Sequence, residues 1–100
     1  MSFSLVFTPR ARAQLAAIDD WLSHEASAEV ASKFVGAIVE RCEKLADFPH
    51  RGTPRDDIRP DARTIPFRRR ATIAYIVDGE KVVILGVFYR GQDPTDPDIA

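Results

Sequence analysis

SAEVASKFVGAIVERCEKLADFP, residues 27–49, carries the clearest structural signal in the chain. Ala31, Phe34, Ile38, Cys42 and Leu45 recur at helical steps of three and four, with Val35 and Val39 widening the stripe, so one face of a helix is apolar. Ser27 is placed to cap its start, and Glu29 lies in the first turn, where a negative charge complements the helix dipole. Lys44 stands near the other end. Phe48-Pro49 stops the helix, because the residue before a proline is pushed out of the helical region.

A helix with one apolar face needs something to cover, and the flanking segments supply it. Upstream, Ser4–Phe7 reads as a short strand. Thr8-Pro9 then starts a helix expected to run to His24, with Ala11, Leu15, Ile18 and Leu22 as its stripe and Trp21 beside it. The short connection at Ser23–Ala26 makes the two helices an antiparallel hairpin. Downstream, His50–Pro60 reads as a loop, and Arg63–Phe67 as an edge strand because Pro66 lacks a ladder donor. Thr72–Val77 alternates, Asp78-Gly79 is expected to occupy both positive-φ positions of a hairpin turn, and Lys81–Tyr89 is the last strand. The unbroken apolar run Val82–Leu85 places that strand centrally or under cover on both faces. The expected fold is α+β in two layers: an N-terminal short strand, an α-helical hairpin, then a three-stranded antiparallel β-meander forming one sheet. One hundred residues hold one core, so residues 1–92 form a single domain and the acidic, Pro-rich residues 93–100 a flexible tail.

Composition excludes several classes. Hydrophobic residues at 45% and charged residues at 29% are a globular balance, and a net charge of −1 is wrong for a uniformly cationic polymer binder. No apolar run is long enough for a bilayer, and the first residues lack the basic and long apolar regions of a secretory signal. The single cysteine, Cys42, fits a reducing, cytoplasmic setting, and its place on the apolar stripe reads as packing. One Cys and two His without paired spacing give no zinc site, and the scattered glycines form no phosphate loop, so neither metal nor cofactor is implied.

The charge distribution is more informative than its sum. Seven of the eleven arginines, Arg51, Arg55, Arg59, Arg63, Arg68, Arg69 and Arg70, fall between positions 51 and 70, and Arg90 follows the last strand. The only acids in that window are Asp56, Asp57 and Asp61. Either these arginines are solvated and paired with the acids, or they form a cationic face for nucleic acid or an acidic partner. The run Arg68-Arg69-Arg70 favours the second reading, since three adjacent cations repel unless an anion relieves them. Of the other polar candidates, His50 reads as a turn residue, Tyr75 as core, and Tyr89 as either core or functional.

The stretches AQLAAIDDWL (13–22), LADFPHRGTPRD (45–56), IRPDAR (58–63) and VFY (87–89) resemble, in sequence and order, the ParE branch of the RelE/ParE toxin superfamily. These are toxin halves of bacterial type II toxin–antitoxin operons, tied to growth inhibition and plasmid stabilisation. The resemblance spans roughly Leu5 to Asp93 and implies the topology already read from the residues. It implies a cognate antitoxin, ParD-like or another small DNA-binding protein, whose C-terminal segment would lie on Leu15, Ile18, Trp21 and Leu22. It also implies inhibition of DNA gyrase by binding rather than by catalysis. Arg51, Arg55, Arg63, Arg68, Arg69, Arg70 and Arg90 would then face gyrase, DNA or both. The RelE branch implies an alternative, a ribosome-dependent messenger RNA endonuclease with His50, Arg63, Arg68, Arg70, Tyr89 and Arg90 as its candidate set. The chain departs from that pattern: Lys81 is the only lysine of its C-terminal half, and its last strand has no histidine. A partner-binding relic without toxicity is a third reading.

Overall fold

The computed structural model describes residues 3–95, so residues 96–100 of the expected flexible tail lie outside the described residues. Seven elements follow in chain order: β1 (Ser4–Phe7), α1 (Pro9–Glu25), α2 (Ala28–Leu45), β2 (Thr53–Pro54), β3 (Arg63–Phe67), β4 (Ala71–Asp78) and β5 (Lys81–Tyr89). The strands form one sheet in the order β1-β5-β4-β3-β2. The helix hairpin covers one face, and the core lies between the layers: Ala11, Ile18 and Leu22 of α1 and the five stripe residues of α2 meet Ile65, Ile73, Tyr75, Val82, Ile84 and Val87 of the sheet.

The meander read from the sequence is β3–β4–β5, and two additions make it a five-stranded mixed sheet. β1 joins β5 in parallel, with Val6 opposite Val83, so β5 is central and its Val82–Leu85 run is covered as expected. β2 pairs with the start of β3 for two residues, Thr53 with Thr64 and Pro54 with Arg63. Gly52-Thr53-Pro54 has the composition of a loop, and a two-residue bridge leaves no periodicity to read. Pro66 lies beyond that bridge, where the outer edge of β3 is free, as a proline in a strand requires.

The caps form as the side chains dictate. Thr8 Oγ1 accepts from Ala11 N at 3.1 Å, and Ser27 Oγ accepts from Val30 N at 3.1 Å. Thr8 also donates through its hydroxyl to Leu85 O at 3.2 Å, which ties the start of α1 to β5. At that point β5 bulges: Gly86 faces Ala74 while Ile84 faces Tyr75, leaving Leu85 over. Gln14 of α1 spans the bulge, accepting from Val87 N at 2.7 Å. A Cβ on Gly86 would meet Gln14 Oε1 at 2.8 Å and the Phe88 ring at 2.7 Å, so this close approach requires glycine.

The β4–β5 turn differs from the expected one by one residue. Asp78 pairs with Lys81, so Gly79-Glu80 are the central pair, and only Gly79 takes a positive φ, at 59°. That pattern is the Gly-first hairpin turn, not the doubly left-handed one. Among the described residues no helix is long and apolar enough to cross a membrane.

Candidate functional site

The doubly left-handed turn occurs instead at β3–β4. Phe67 pairs with Ala71, Arg70 N donates to Phe67 O at 2.9 Å, and the central residues Arg68 and Arg69 have φ of 49° and 58°. The connection thus has three residues, and its first two are left-handed arginines where glycine and asparagine are the ordinary occupants. A second turn of the same kind lies beside it, where β5 leaves the sheet. Arg90 and Gly91 have φ of 58° and 79°, and Gln92 N donates to Tyr89 O at 3.3 Å. The turns are joined by a hydrogen bond from Arg90 N to Arg70 O at 3.1 Å. For a residue with a Cβ the left-handed region costs roughly 1–2 kcal/mol. Three arginines accept that strain at one end of the sheet; Asp61 is the only other described non-glycine residue with positive φ.

These cations are also without acids. Arg68, Arg69, Arg70 and Arg90 are exposed, and among the described residues no carboxylate lies within salt-bridge distance of any of them. Two rest on rings: the Arg68 guanidinium lies 4.9 Å from the Phe67 centroid and that of Arg90 4.3 Å from the Trp21 centroid. The rings form an edge-to-face cluster. Tyr89 meets Trp21 at 5.8 Å and Phe34 at 5.5 Å, and Phe34 meets Phe67 at 5.4 Å. Against Trp21 opens a groove of about 550 Å³ between α1 and the end of β5, which continues past Arg69 and Arg70 as a second hollow of about 470 Å³.

The remaining arginines of the sequence patch lie elsewhere. Arg63 starts β3, about 13 Å of extended strand from the turn that its far end enters. Its guanidinium donates to His50 O at 3.1 Å and Gly52 O at 2.8 Å. Tyr75 completes this clasp on the loop, donating through its hydroxyl to Pro49 O at 2.8 Å and accepting from Gly52 N at 2.9 Å. Burial raises the Tyr75 pKa, with the Gly52 N–H opposing it. Arg55 forms a two-pronged pair with Asp57 at 2.8 Å for each contact, which holds the exposed Asp57 carboxyl below its usual range. The expected single cationic face is therefore two groups. Arg68, Arg69, Arg70 and Arg90 gather at one end with no acid in reach among the described residues; toward the other, Arg55 is paired with Asp57, Arg63 is held by loop carbonyls, and Arg51 and Arg59 are exposed without an acid partner among the described residues.

A family model described as the ParE toxin of type II toxin–antitoxin systems, parDE, matches residues 5–94. The chain belongs to that family. Among solved structures it is similar to a chain of the chromosomal ParDE toxin–antitoxin system from P. aeruginosa, at 30% identity and a TM-score of 0.78, over 88% of this chain and 96% of that one. It shares its fold with a chain of the RelBE2 toxin–antitoxin complex from Mycobacterium tuberculosis, at 23% identity and a TM-score of 0.68, over 90% and 100% of the two chains. A comparison with curated proteins returned no significant match.

In this ParE-family toxin the helix residues expected to meet an antitoxin divide by burial. Ile18 and Leu22 are each only 5% exposed and belong to the core, while Leu15 and Trp21 are half-buried and reach the surface. Phe48, assigned in the sequence only as a helix stop, is 66% exposed and is the most open large apolar side chain among the described residues. His50 is exposed at the Arg63 end, apart from Tyr89, which is 8% exposed beneath Arg90. Burial pushes the Cys42 thiol up to about 12, which makes it an inert packing group. The roles of Gln14 and the Tyr75 hydroxyl were invisible in the sequence, since each bonds a backbone group far along the chain.

Proposed function

We propose that this ParE-family toxin arrests growth by binding DNA gyrase, and that a small cognate antitoxin neutralises it by covering α1 and the adjoining groove. The observation that carries the reading is the crown formed by Arg68, Arg69, Arg70 and Arg90. It is a cationic surface held at a backbone cost and, among the described residues, left without acids, which suits an acidic or phosphate-bearing target. The two solved relatives come from toxin–antitoxin systems, which supports an antitoxin as partner. Trp21, half-buried beside the groove, is the aromatic anchor such a partner would take.

Binding is favoured over RNA cleavage by the division of the ribonuclease candidates. His50 and Arg63 stand at one end of β3, while Arg68, Arg70, Tyr89 and Arg90 stand at the other. Acid–base cleavage needs its groups within hydrogen-bond reach of one phosphodiester. Two assays test the proposal. Expression of the chain alone should stop bacterial growth, and co-expression of its antitoxin should restore it. Purified toxin should then block supercoiling by gyrase; intact supercoiling together with codon-phased messenger cuts would replace this reading with the nuclease.

A further inference from the structure

We propose that the groove beside Trp21 binds an unpaired nucleotide of a single nucleic-acid strand, with the base on the indole and the flanking phosphates on Arg69, Arg70 and Arg90. The inference extends the gyrase reading, yet it concerns a direct contact that can be measured without gyrase. Its first support is composition. The half-buried Trp21 ring, backed by the nearly buried Ile18 and Tyr89, stands beside the guanidinium groups of Arg90, Arg69 and Arg70, with Gln14 and Gln92 also lining the groove. A nucleotide has two matching halves, a flat ring and an anionic link, and aromatic side chains beside arginines are what unpaired bases stack upon. A volume of about 550 Å³ falls within the range of small-ligand sites.

The second support is the state of Trp21. Its ring already stacks a flat cation, Arg90 at 4.3 Å, so this face accepts a planar partner, which a base would become by displacing the guanidinium. Arg90 needs only a side-chain rotation to pass from the ring to a phosphate, where the guanidinium fork makes two charge-assisted bonds. The third support is the strain. An acidic peptide could be met by arginines on relaxed backbone, whereas left-handed positions at 69 and 90 set two guanidinium stems, with Arg70 between the two turns, around one groove mouth. The hydrogen bond from Arg90 N to Arg70 O fixes the spacing of the two turns, as recognition of successive phosphates along a strand requires.

Trp21 is the only tryptophan in the chain, so its own fluorescence reports the site. Full-length toxin from cell-free synthesis is titrated with a twelve-residue oligothymidine, its ribonucleotide equivalent, a duplex of the same length and polyglutamate. The expected result is quenching by a single strand, with binding weakened about 20-fold between 50 and 200 mM salt for three phosphate contacts. The tighter of the deoxy- and ribo-oligomers identifies the source of the strand. By anisotropy of a labelled oligomer, Arg69→Ala with Arg70→Ala should lower affinity on the order of tenfold and flatten the salt dependence, whereas Arg10→Ala should leave both unchanged. Trp21→Ala should lose about tenfold and Trp21→Phe, which keeps a ring, much less, with melting curves confirming that both are folded. Three results would overturn the inference: no quenching by either single strand, equal binding of the duplex without quenching, or polyglutamate binding as tightly as the oligomers. The last would assign the groove to an acidic protein segment and leave the gyrase proposal standing.

Discussion

The two tight turns of the meander, three residues long between β3 and β4 and two between β4 and β5, reverse the chain with opposite chemistry. Between β4 and β5 the left-handed position is held by Gly79, where a positive φ has no steric penalty. Between β3 and β4 two left-handed positions are held by Arg68 and Arg69, where each Cβ is penalised. The first turn obeys its local sequence and displays only Gly79 and Glu80. The second resists its local sequence and displays bare cations, as does its neighbour at Arg90. Strain concentrated at one end, and absent from the turn at the other, supports the proposal that the strained end meets the target.

That contrast can be broken most directly by making the turns alike. Arg68→Asn with Arg69→Gly should stabilise the fold by about 1–2 kcal/mol in denaturant titrations, because the strain is relieved. The same change should weaken target binding by about 2 kcal/mol or more and restore colony growth. Full toxicity in this stabilised variant would remove the crown from the argument.

The other cationic group gives the next largest effect. Tyr75→Phe leaves Gly52 N–H and Pro49 O without their partner, which should lower stability by about 1–3 kcal/mol. Toxicity should fall no further than that loss of folded protein explains; a selective loss of gyrase inhibition would shift the business end to the Arg63 loop. Gly79→Ala sharpens the comparison from the relaxed side. The space around Gly79 is open, so φ alone should cost about 1 kcal/mol by thermal melting, with toxicity retained.

The smallest effect lies away from both turns. His24, in the last turn of α1, makes a 2.8 Å hydrogen bond through Nδ1 to the Asp20 carbonyl, and this bond with the Asp20 charge raises its pKa above 6.5. The folded state thus holds the proton more tightly. The stability this adds is complete below pH 6.5 and disappears as pH rises through the higher folded value. His24→Gln should flatten that slope in melting temperature against pH; an unchanged slope would assign it to another group.

Much of this molecule was legible before its structure. The α2 stripe Ala31-Phe34-Ile38-Cys42-Leu45 is buried residue for residue, and both helix caps form on the expected side chains. These features depend on neighbours within one or two helical turns, which the sequence displays. The parallel pairing of β1 with β5 and the two-residue β2 were not legible. Their partners lie far along the chain, and a bridge of two residues has no period. The candidate site was half legible. The arginines were countable, but their division into two groups depends on Tyr75, Gly52 and His50 O meeting Arg63 across more than ten residues.

By itself the sequence determined both helices, every strand but β2, the two-layer packing and the excess of guanidinium over carboxylate between residues 51 and 70. Tertiary structure alone decided which of those cations gather at one end of the sheet beside Arg90. A hydrophobic period repeats locally and survives in any window of the chain. The backbone angle at Arg68 and the ring beneath Arg90 are set by strands that meet only once the sheet has closed.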